Sequence, residues 1–231
     1  CTIEEARDFM EKVPEEQRFM ATSCCPSWRM MARRLFPAES GNISMTYTPM
    51  VYTARMVKEQ HPGCKVVFVG PCAAKKLEAM RRTVRSEVDF VLTFEEMAGI
   101  FEARHIDVNT LKEDPHGVND ASADGRNFAV SGGVAQAVVN VIKEKYPDRE
   151  IKVANAEGLS ECRKLMMMAK AGKYNGYLLE GMACPGGCVA GAGTMQSIKK
   201  SSVAVNMYAK QAEHQVATGT HHVAELDKLV D

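Results

Sequence analysis

The 231-residue chain is 45% hydrophobic, which is enough apolar side chain to build a sizeable core in one large domain or two small lobes. Its 29 basic and 29 acidic residues cancel, so the charge balance gives no indication of a nucleic-acid or membrane-surface partner. No apolar run reaches the roughly 18 residues that span a bilayer, and we expect a soluble protein without a membrane span.

The first quarter of the chain is predicted to form three helices. Apolar residues at helical spacing indicate the first helix, and Thr2 with Glu5 has the pattern of a capping box at its start. The predicted ranges are 2–13, then from the Cys24-Cys25-Pro26 turn to Phe36-Pro37, and then from Pro49 to the His61-Pro62-Gly63 turn.

From Lys65 onward the pattern changes to short apolar runs, each followed by a turn. These runs predict parallel strands at 65–70, 90–92, 127–130, 151–154 and 174–179. The helices predicted between them are 73–82, 95–103, one from the Ser131-Gly132-Gly133 turn to Lys145, and 160–171. Alternating strands and helices imply right-handed parallel crossovers. Ligands in such sheets gather outside the carboxyl ends of the strands, which is where Cys72 and Cys184 fall.

We therefore expect an α/β fold with two lobes of parallel β-sheet flanked by helices and a binding site between them. The approximate lobes are residues 1–115 and 116–198. Residues 199–231 are predicted to form a polar C-terminal tail that ends in a short amphipathic stretch, 221–230. Because the chain starts at Cys1, without an initiator Met or an apolar signal segment, we expect it to be part of a longer or processed polypeptide.

Five of the eight cysteines lie in three short segments rich in proline, glycine and small residues. Four thiolates from separated loops complete the all-cysteine shell of a [4Fe–4S] cube, and Gly186 and Gly187 let backbone amides approach its sulfides. One thiol is then left over for chemistry. The segments are Thr22-Ser-Cys-Cys-Pro26, Gly70-Pro-Cys-Ala-Ala-Lys75 and Met182-Ala-Cys-Pro-Gly-Gly-Cys188.

Disulfides and zinc are the alternative uses of these cysteines. Clustering in glycine-rich turns favours metal ligation in a reducing cytosol over disulfides. Cys184 and Cys188 bracket Pro-Gly-Gly, unlike the closer pairs of zinc ribbons. The adjacent Cys24 and Cys25 leave the backbone in different directions, so one should bind and the other should stay free. Lys75 lies one helical turn after Cys72 and is suited to pairing with an anionic ligand.

The three segments resemble, in order, the signature motifs of the [FeFe]-hydrogenase catalytic domain, TSCCPxW, PCxxKxxE and MACPGGC. Trp28 completes the first motif and Glu78 the second, and the resemblance covers roughly residues 2–198. It implies an H-cluster domain over the whole chain, partial because the family's upstream segment is missing. The implied cofactor is a six-iron H-cluster, a [4Fe–4S] cube joined to a di-iron subsite with CO, cyanide and azadithiolate ligands.

The resemblance also implies residue roles. Cys25, Cys72, Cys184 and Cys188 match the four cube ligands, and Cys188 also bridges to the di-iron subsite. Cys24 matches the thiol that exchanges protons with the bridging amine. Lys75 matches a residue that hydrogen-bonds a cyanide, and Met182 one that packs near the di-iron subsite.

The family's proton path to solvent has matches in Ser44, Glu5 and Asp8, with Lys12 in place of an arginine at the outer end. A thiol, a hydroxyl and carboxylates supply the alternating donors and acceptors that such a path needs. The alternative is that Glu5 is only a capping residue and Asp8 only part of a solvated helix face.

The implied activity is the reversible oxidation of H2 to protons and electrons. The implied partners are a ferredoxin-like electron carrier or upstream iron–sulfur domains, and the maturation proteins that build the di-iron subsite; a cytoplasmic location is expected. Gly70, Met50 and Ala192 depart from the family pattern, which leaves an H2-sensing relative with low turnover as an alternative. A non-catalytic [4Fe–4S] protein of the narfin type is the third possible function. Cys1, Cys64 and Cys162 match no ligand.

Overall fold

The computed structural model describes residues 1–112, 114 and 120–226. Its five strands form two parallel sheets. The larger sheet has the order β1 (Met20–Ala21), β5 (Tyr177–Met182), β4 (Lys152–Glu157), and the smaller pairs β2 (Val67–Gly70) with β3 (Phe90–Thr93). The predicted α/β fold with two lobes of parallel sheet and flanking helices is confirmed.

Nine α-helices lie within the described part of the chain. They are α1 (Thr2–Lys12), α2 (Pro26–Leu35), α3 (Pro49–Gln60), α4 (Ala74–Ala79), α5 (Phe94–Ala103), α6 (Ala123–Arg126), α7 (Gly133–Lys145), α8 (Leu159–Lys170) and α9 (Ile198–Ala209). None of these described helices is long and apolar enough to cross a membrane.

Helices cover both faces of the larger sheet. Successive side chains of a strand point to opposite faces, and the adjacent residues Leu178 and Leu179 of β5 belong to different core clusters. Leu179 packs with Trp28 of α2 and Met166 of α8, whereas Leu178 packs with residues of α1 and α7. The sheet is therefore buried on both sides, as expected of parallel strands.

Trp28 fixes α2 against the end of β5 that leads to the third cysteine segment. The indole is fully buried, and its Nε1 donates to the carbonyl of Thr22 at 2.9 Å. A Cβ at Gly181 would lie 2.2 Å from the Trp28 ring, so only glycine permits this approach. The first and third cysteine segments are thus packed together by one side chain.

Three sequence predictions were wrong in detail. The segment predicted as a strand at 127–130 contains a 3₁₀ helix, Asn127–Ala129, because it continues directly from α6 and packs beside α7. The capping box is absent, since Cys1 is the N-cap and no side chain caps α1; Glu5 instead points into the core, with 2% of its surface exposed. The helix predicted to reach residue 82 ends at Ala79.

The sheets do not divide the chain at residue 115. Strand β1 and helix α1 lie in the first 115 residues, yet β1 pairs with β5 and α1 packs on α7. Helix α9 begins at Ile198 and crosses the expected start of the tail. Of the predicted stretch 221–230, His221–Glu225 form a 3₁₀ helix, and residues 227–230 lie outside the described residues.

Candidate metal centre

The cysteine segments lie at the carboxyl ends of parallel strands. Cys72 follows the end of β2 at Gly70, and Cys184 follows the end of β5 at Met182. Cys25 is the N-cap residue of α2. This is the edge where parallel sheets bind ligands, and it belongs to both lobes.

Four thiols interact across this edge. Burial first, and then Cys25, Cys72 and Cys184, raise the pKa of Cys188 to about 12, while the Lys75 ammonium acts in the opposite direction. Burial, Cys25 and Cys72 also raise the pKa of Cys184. All eight cysteines of the chain are free thiols. Thiols from three separated loops therefore act electrostatically on Cys188, and ionising the four together requires a compensating cationic group.

The loop between Cys184 and Cys188 is shaped by its glycines. Gly186 and Gly187 have φ values of +90° and +94°, a region that favours glycine. A Cβ at Gly187 would lie 2.6 Å from the nitrogen of Ser131 and 2.7 Å from the carbonyl oxygen of Ala129. The loop therefore sits directly against the backbone that leads into α7.

The chain after Cys188 joins the third segment to the second. Gly193 donates its backbone N–H to the carbonyl of Pro71 at 2.9 Å. A Cβ at Gly191 would lie 2.3 Å from the same oxygen. These contacts hold the loop of Cys188 against Cys72 and connect the two sheets.

The two adjacent cysteines have different surroundings. The thiol of Cys25 accepts the N–H of Ala183 at 3.4 Å and acts on the pKa of Cys184 and Cys188. Burial first, and then the carboxylates of Glu5 and Glu180, raise the pKa of Cys24 well above its ordinary value. Cys24 is therefore acted on both by buried carboxyl groups and by the thiols of Cys25 and Cys188.

Glu5 and Ser44 are both buried, at 2% and 1% exposure. Burial raises the pKa of Glu5 to about 7, against the opposing effect of a hydrogen bond with Ser44. Asp8, one turn further along α1, forms a salt bridge of 2.9 Å with Lys12 and is partly exposed. The predicted proton path therefore has Cys24, Glu5 and Ser44 inside the protein and the Asp8–Lys12 pair nearer the surface.

Lys75 is nearly buried and has two partners. Its Nζ donates to the carbonyl of Cys24 at 3.2 Å and to Oε2 of Glu78 at 2.6 Å. Glu78 also accepts the hydroxyl of Thr48 at 2.8 Å. Neither Glu78 nor Thr48 has a role that was predicted from the sequence. The i,i+3 spacing of Lys75 and Glu78 on a helix was the available signal.

Glu180 is a second residue that the sequence analysis missed. It is completely buried in β5, and its two carboxylate oxygens accept the N–H groups of Gly132 and Ala135, each at 2.7 Å. The carboxylate thus fixes the start of α7. A glutamate in the middle of a buried strand was the available signal.

Met182 and Cys162 lie behind the site. Met182 ends β5 with 2% of its surface exposed. The buried thiol of Cys162 donates to the carbonyls of Ala156 and Met182, each at 3.5 Å. Cys162 is therefore a satisfied core thiol.

The residues present fit an iron–sulfur cofactor. The donor set is four free thiols on three loops, beside a glycine-rich turn, and a lysine whose charge acts on one of those thiols. Cys25, Cys72, Cys184 and Cys188 are the residues that would hold a cube. The fifth thiol, Cys24, is left beside them.

Comparisons with known proteins identify the family. The model of the "Iron only hydrogenase large subunit, C-terminal domain" matches residues 1–192. The fold and its motifs are therefore those of a class of iron–sulfur, metal-binding proteins. The chain belongs to this iron-only hydrogenase family.

Two curated relatives show the range of this family. The periplasmic [Fe] hydrogenase large subunit of Nitratidesulfovibrio vulgaris is 29% identical over 82% of this chain and 55% of its own length. The nuclear prelamin A recognition factor of Homo sapiens is 26% identical over 84% of this chain and 53% of its own length. The chain thus spans about half the length of these relatives, and relatives named as hydrogenases and as prelamin A recognition factors match it at similar identity.

The fold is also that of solved hydrogenases. A variant of the apo [FeFe]-hydrogenase HydA1 from Chlamydomonas reinhardtii superposes with a TM-score of 0.77 at 22% identity, covering 99% of this chain and 77% of that one. At this identity the likeness describes the fold.

Proposed function

We propose that the chain is the catalytic part of an [FeFe]-hydrogenase, which interconverts H2 with two protons and two electrons. Cys25, Cys72, Cys184 and Cys188 would hold the cube, and Cys188 would also hold the di-iron subsite with its CO, cyanide and azadithiolate ligands. The observation that supports this proposal is Cys24, a fifth thiol adjacent to Cys25 that is acted on by the carboxyl group of Glu5 and by the thiols of Cys25 and Cys188. A protein that only holds a cube has no use for that thiol.

When bound, the H-cluster supplies an open iron site for heterolytic cleavage of H2 and an electron exit through its cube. Cys24 is the protein's proton donor and acceptor at the cofactor. Its raised pKa keeps the thiol protonated, so it is ready to donate and becomes a strong base once deprotonated. Glu5, with a pKa raised to about 7, takes either protonation state near neutral pH and suits the next position in a proton path.

Ser44, in hydrogen-bond contact with Glu5, supplies a hydroxyl to the same path. The Asp8–Lys12 pair forms its outer end, where the helix meets solvent. Lys75 holds a positive charge close to Cys188, and this charge favours anionic ligands such as cyanide. Its bonds to Glu78 and to the carbonyl of Cys24 keep the ammonium in place.

The partners of this function would be a ferredoxin-like carrier or further iron–sulfur domains as electron acceptors, and maturation proteins that supply the di-iron subsite. Eight free thiols suit a reducing compartment such as the cytoplasm.

An H2-sensing relative is the second candidate. Gly70 stands where hydrogenases of this family carry methionine, and a Cβ there would lie 2.6 Å from the ring of Phe68. The aromatic ring therefore occupies space beside Pro71 and Cys72 that the usual side chain would need. Such a change near the di-iron pocket alters hydrogen bonding and potential, which favours a divergent activity. The relatives named as prelamin recognition factors support a third candidate, a protein that binds a cube alone.

The test is to produce the chain together with hydrogenase maturation proteins, without oxygen. Infrared bands of CO and cyanide, followed by steady-state H2 turnover, are expected for the catalytic domain. Bands without turnover would identify the sensor. Four irons without such bands, under conditions that mature a known hydrogenase, would overturn the proposal in favour of the cube-only protein.

A further inference from the structure

The two helices that follow Cys25 and Cys72 form a strongly basic groove on their outer side. Four arginines line this groove of about 310 Å³ between α2 and the end of α4. They are Arg29, Arg33, Arg34 and Arg81. Leu77 and Met30 supply apolar walls.

Four guanidinium groups and one carboxylate line the groove, so it carries more positive than negative charge. Glu78 is the acidic residue that lines it, and its oxygens already bind Lys75 and Thr48. Within the described ranges of the chain, none of the four arginines forms a salt bridge, and the buried Nε atoms of Arg29 and Arg33 have no hydrogen-bond partner. One terminal nitrogen of Arg33 donates a hydrogen bond to the sulfur of Met45.

The like charges are close enough to oppose one another. Burial first, and then the charges of Arg81 and Arg33, lower the pKa of Arg29 to about 10, against the opposing effect of Glu78. Holding several guanidinium groups together in a partly dry groove costs free energy unless an anion offsets their charge.

A smaller cavity of about 90 Å³ continues the groove inward and shares Arg29 and Arg81 with it. Its wall includes Thr46, whose side chain is 6% exposed and whose hydroxyl has no hydrogen-bond partner among the described residues. The cavity is large enough for several waters, and so for one tetrahedral oxyanion. A buried, unpartnered hydroxyl and two guanidinium groups therefore line the same space. The carboxylate of Glu78 lines it too, with its oxygens bound to Lys75 and Thr48.

We propose that this cavity binds a tetrahedral oxyanion, either inorganic phosphate or the phosphoryl group of a phosphomonoester. Arg29 and Arg81 hold the anion, and the hydroxyl of Thr46 donates to it. Guanidinium groups present paired N–H donors that match the oxygens of phosphate. Arg33 and Arg34, at the groove mouth, accommodate the rest of a phosphomonoester. The site is separate from the thiols and goes beyond the proposed hydrogenase activity.

The test measures binding of potassium phosphate and of glycerol 3-phosphate to the purified 231-residue chain by titration calorimetry, at constant ionic strength set with potassium chloride. We expect saturable binding of one phosphate per chain. Arg29→Gln and Arg81→Gln should each weaken it by about tenfold or more, since hydrogen bonds to charged groups contribute about 1.5–3 kcal/mol. Thr46→Val should weaken it several-fold.

Arg85→Gln is the matched control, because Arg85 is exposed and does not line either cavity. It should leave the affinity unchanged. Arg81 follows the end of α4, so its variant is expected to retain the fold, which circular dichroism checks. A phosphomonoester that binds more tightly than phosphate identifies the source as a phosphorylated molecule; equal affinities identify the free ion.

Absence of saturable phosphate binding would overturn the proposal. Unchanged affinity in both folded arginine variants would also overturn it. Binding of polyglutamate without binding of phosphate would replace it with an acidic polypeptide as the partner of the groove.

Discussion

The ammonium of Lys75 lies 2.6 Å from Oε2 of Glu78, three residues further along α4. Both side chains are largely buried, and the second oxygen of Glu78 accepts the hydroxyl of Thr48. Removing one member of such a pair leaves the other charge buried without a partner, which costs about 3–5 kcal/mol. The pair is therefore a single unit that fixes a positive charge near Cys188.

Replacing Lys75 with Asn should lower the free energy of unfolding by about 3 kcal/mol. In matured protein it should also impair retention of the di-iron subsite and shift its cyanide infrared bands. Lys76→Asn is the matched control, because Lys76 forms a surface salt bridge with Glu96, and such pairs contribute about 1 kcal/mol or less.

The double variant Lys75→Asn with Glu78→Gln separates stability from ligand binding. It removes the uncompensated carboxylate, so stability should recover in part while the cyanide bands stay altered. Normal bands in the double variant would mean that Lys75 serves only to neutralise Glu78.

Much of the site follows from local sequence. The cysteine segments come directly after short apolar runs, so the positions of Cys72 and Cys184 at the ends of parallel strands could be predicted. The pairing of β1 with β5 could not, because Met20–Ala21 is too short for a periodic pattern and its partner lies more than 150 residues away.

The roles of the carboxylates were also beyond local sequence. From the sequence, Glu5 fits a capping box as well as it fits a buried position in a proton path. The packing of α1 on α7 is what buries it. Glu180 and Glu78 owe their functions to partners distant in the chain, Gly132 and Thr48. The apolar run at 127–130 was wrongly predicted as a strand, because a pattern of four residues cannot distinguish a strand from a helical turn.

Glu5 should make stability depend on pH. Burial raises its pKa from 4.5 to about 7, so between these values the folded protein binds a proton that the unfolded chain releases. The free energy of unfolding therefore falls as the pH rises through this window, by about 3 kcal/mol in total. Glu5→Gln removes this contribution.

Urea unfolding across the pH range tests this expectation. Glu5→Gln should match the unsubstituted chain at about pH 4.5 and exceed its stability by about 3 kcal/mol at about pH 8. Glu11→Gln, an exposed change on the same helix, should show no such trend. A stability difference for Glu5→Gln that stays constant with pH would contradict the raised pKa.

Cys24→Ala should retain bound iron but lower H2 turnover by about 10²–10⁴-fold, the range of general acid–base catalysis. The thiol is not needed by the four-thiol group and lies beside Glu5. Iron content, infrared bands and dye-linked H2 uptake measure the two effects separately. Cys64→Ala serves as control, because the thiol of Cys64 is 4.0 Å from the carbonyl of Val57 and takes no part in the site. Full turnover in Cys24→Ala would show that protons reach the cofactor by another route.

Gly187→Ala should prevent assembly of the metal centre. The residue has a φ of +94°, and a Cβ would lie 2.6 Å from the nitrogen of Ser131 and 2.7 Å from the carbonyl of Ala129. Because both contacts are with backbone, relief requires the loop between Cys184 and Cys188 to move, and with it the two thiols. Overpacking of this kind costs about 1–3 kcal/mol. The φ of +94° and ψ of −158° of Gly187 lie in a region essentially limited to glycine, which adds about 1–3 kcal/mol for another residue.

Gly63→Ala is the control for a positive φ without close contacts, since Gly63 has a φ of +84° and open space around its Cβ position. In urea unfolding, both variants should have a lower free energy of unfolding than the unsubstituted chain. The decrease should be larger for Gly187→Ala than for Gly63→Ala. After anaerobic reconstitution with iron and sulfide, Gly63→Ala should bind four irons and Gly187→Ala far fewer. Equal iron content in the two variants would mean that the thiols reach the cube without the close approach of Gly187 to the start of α7.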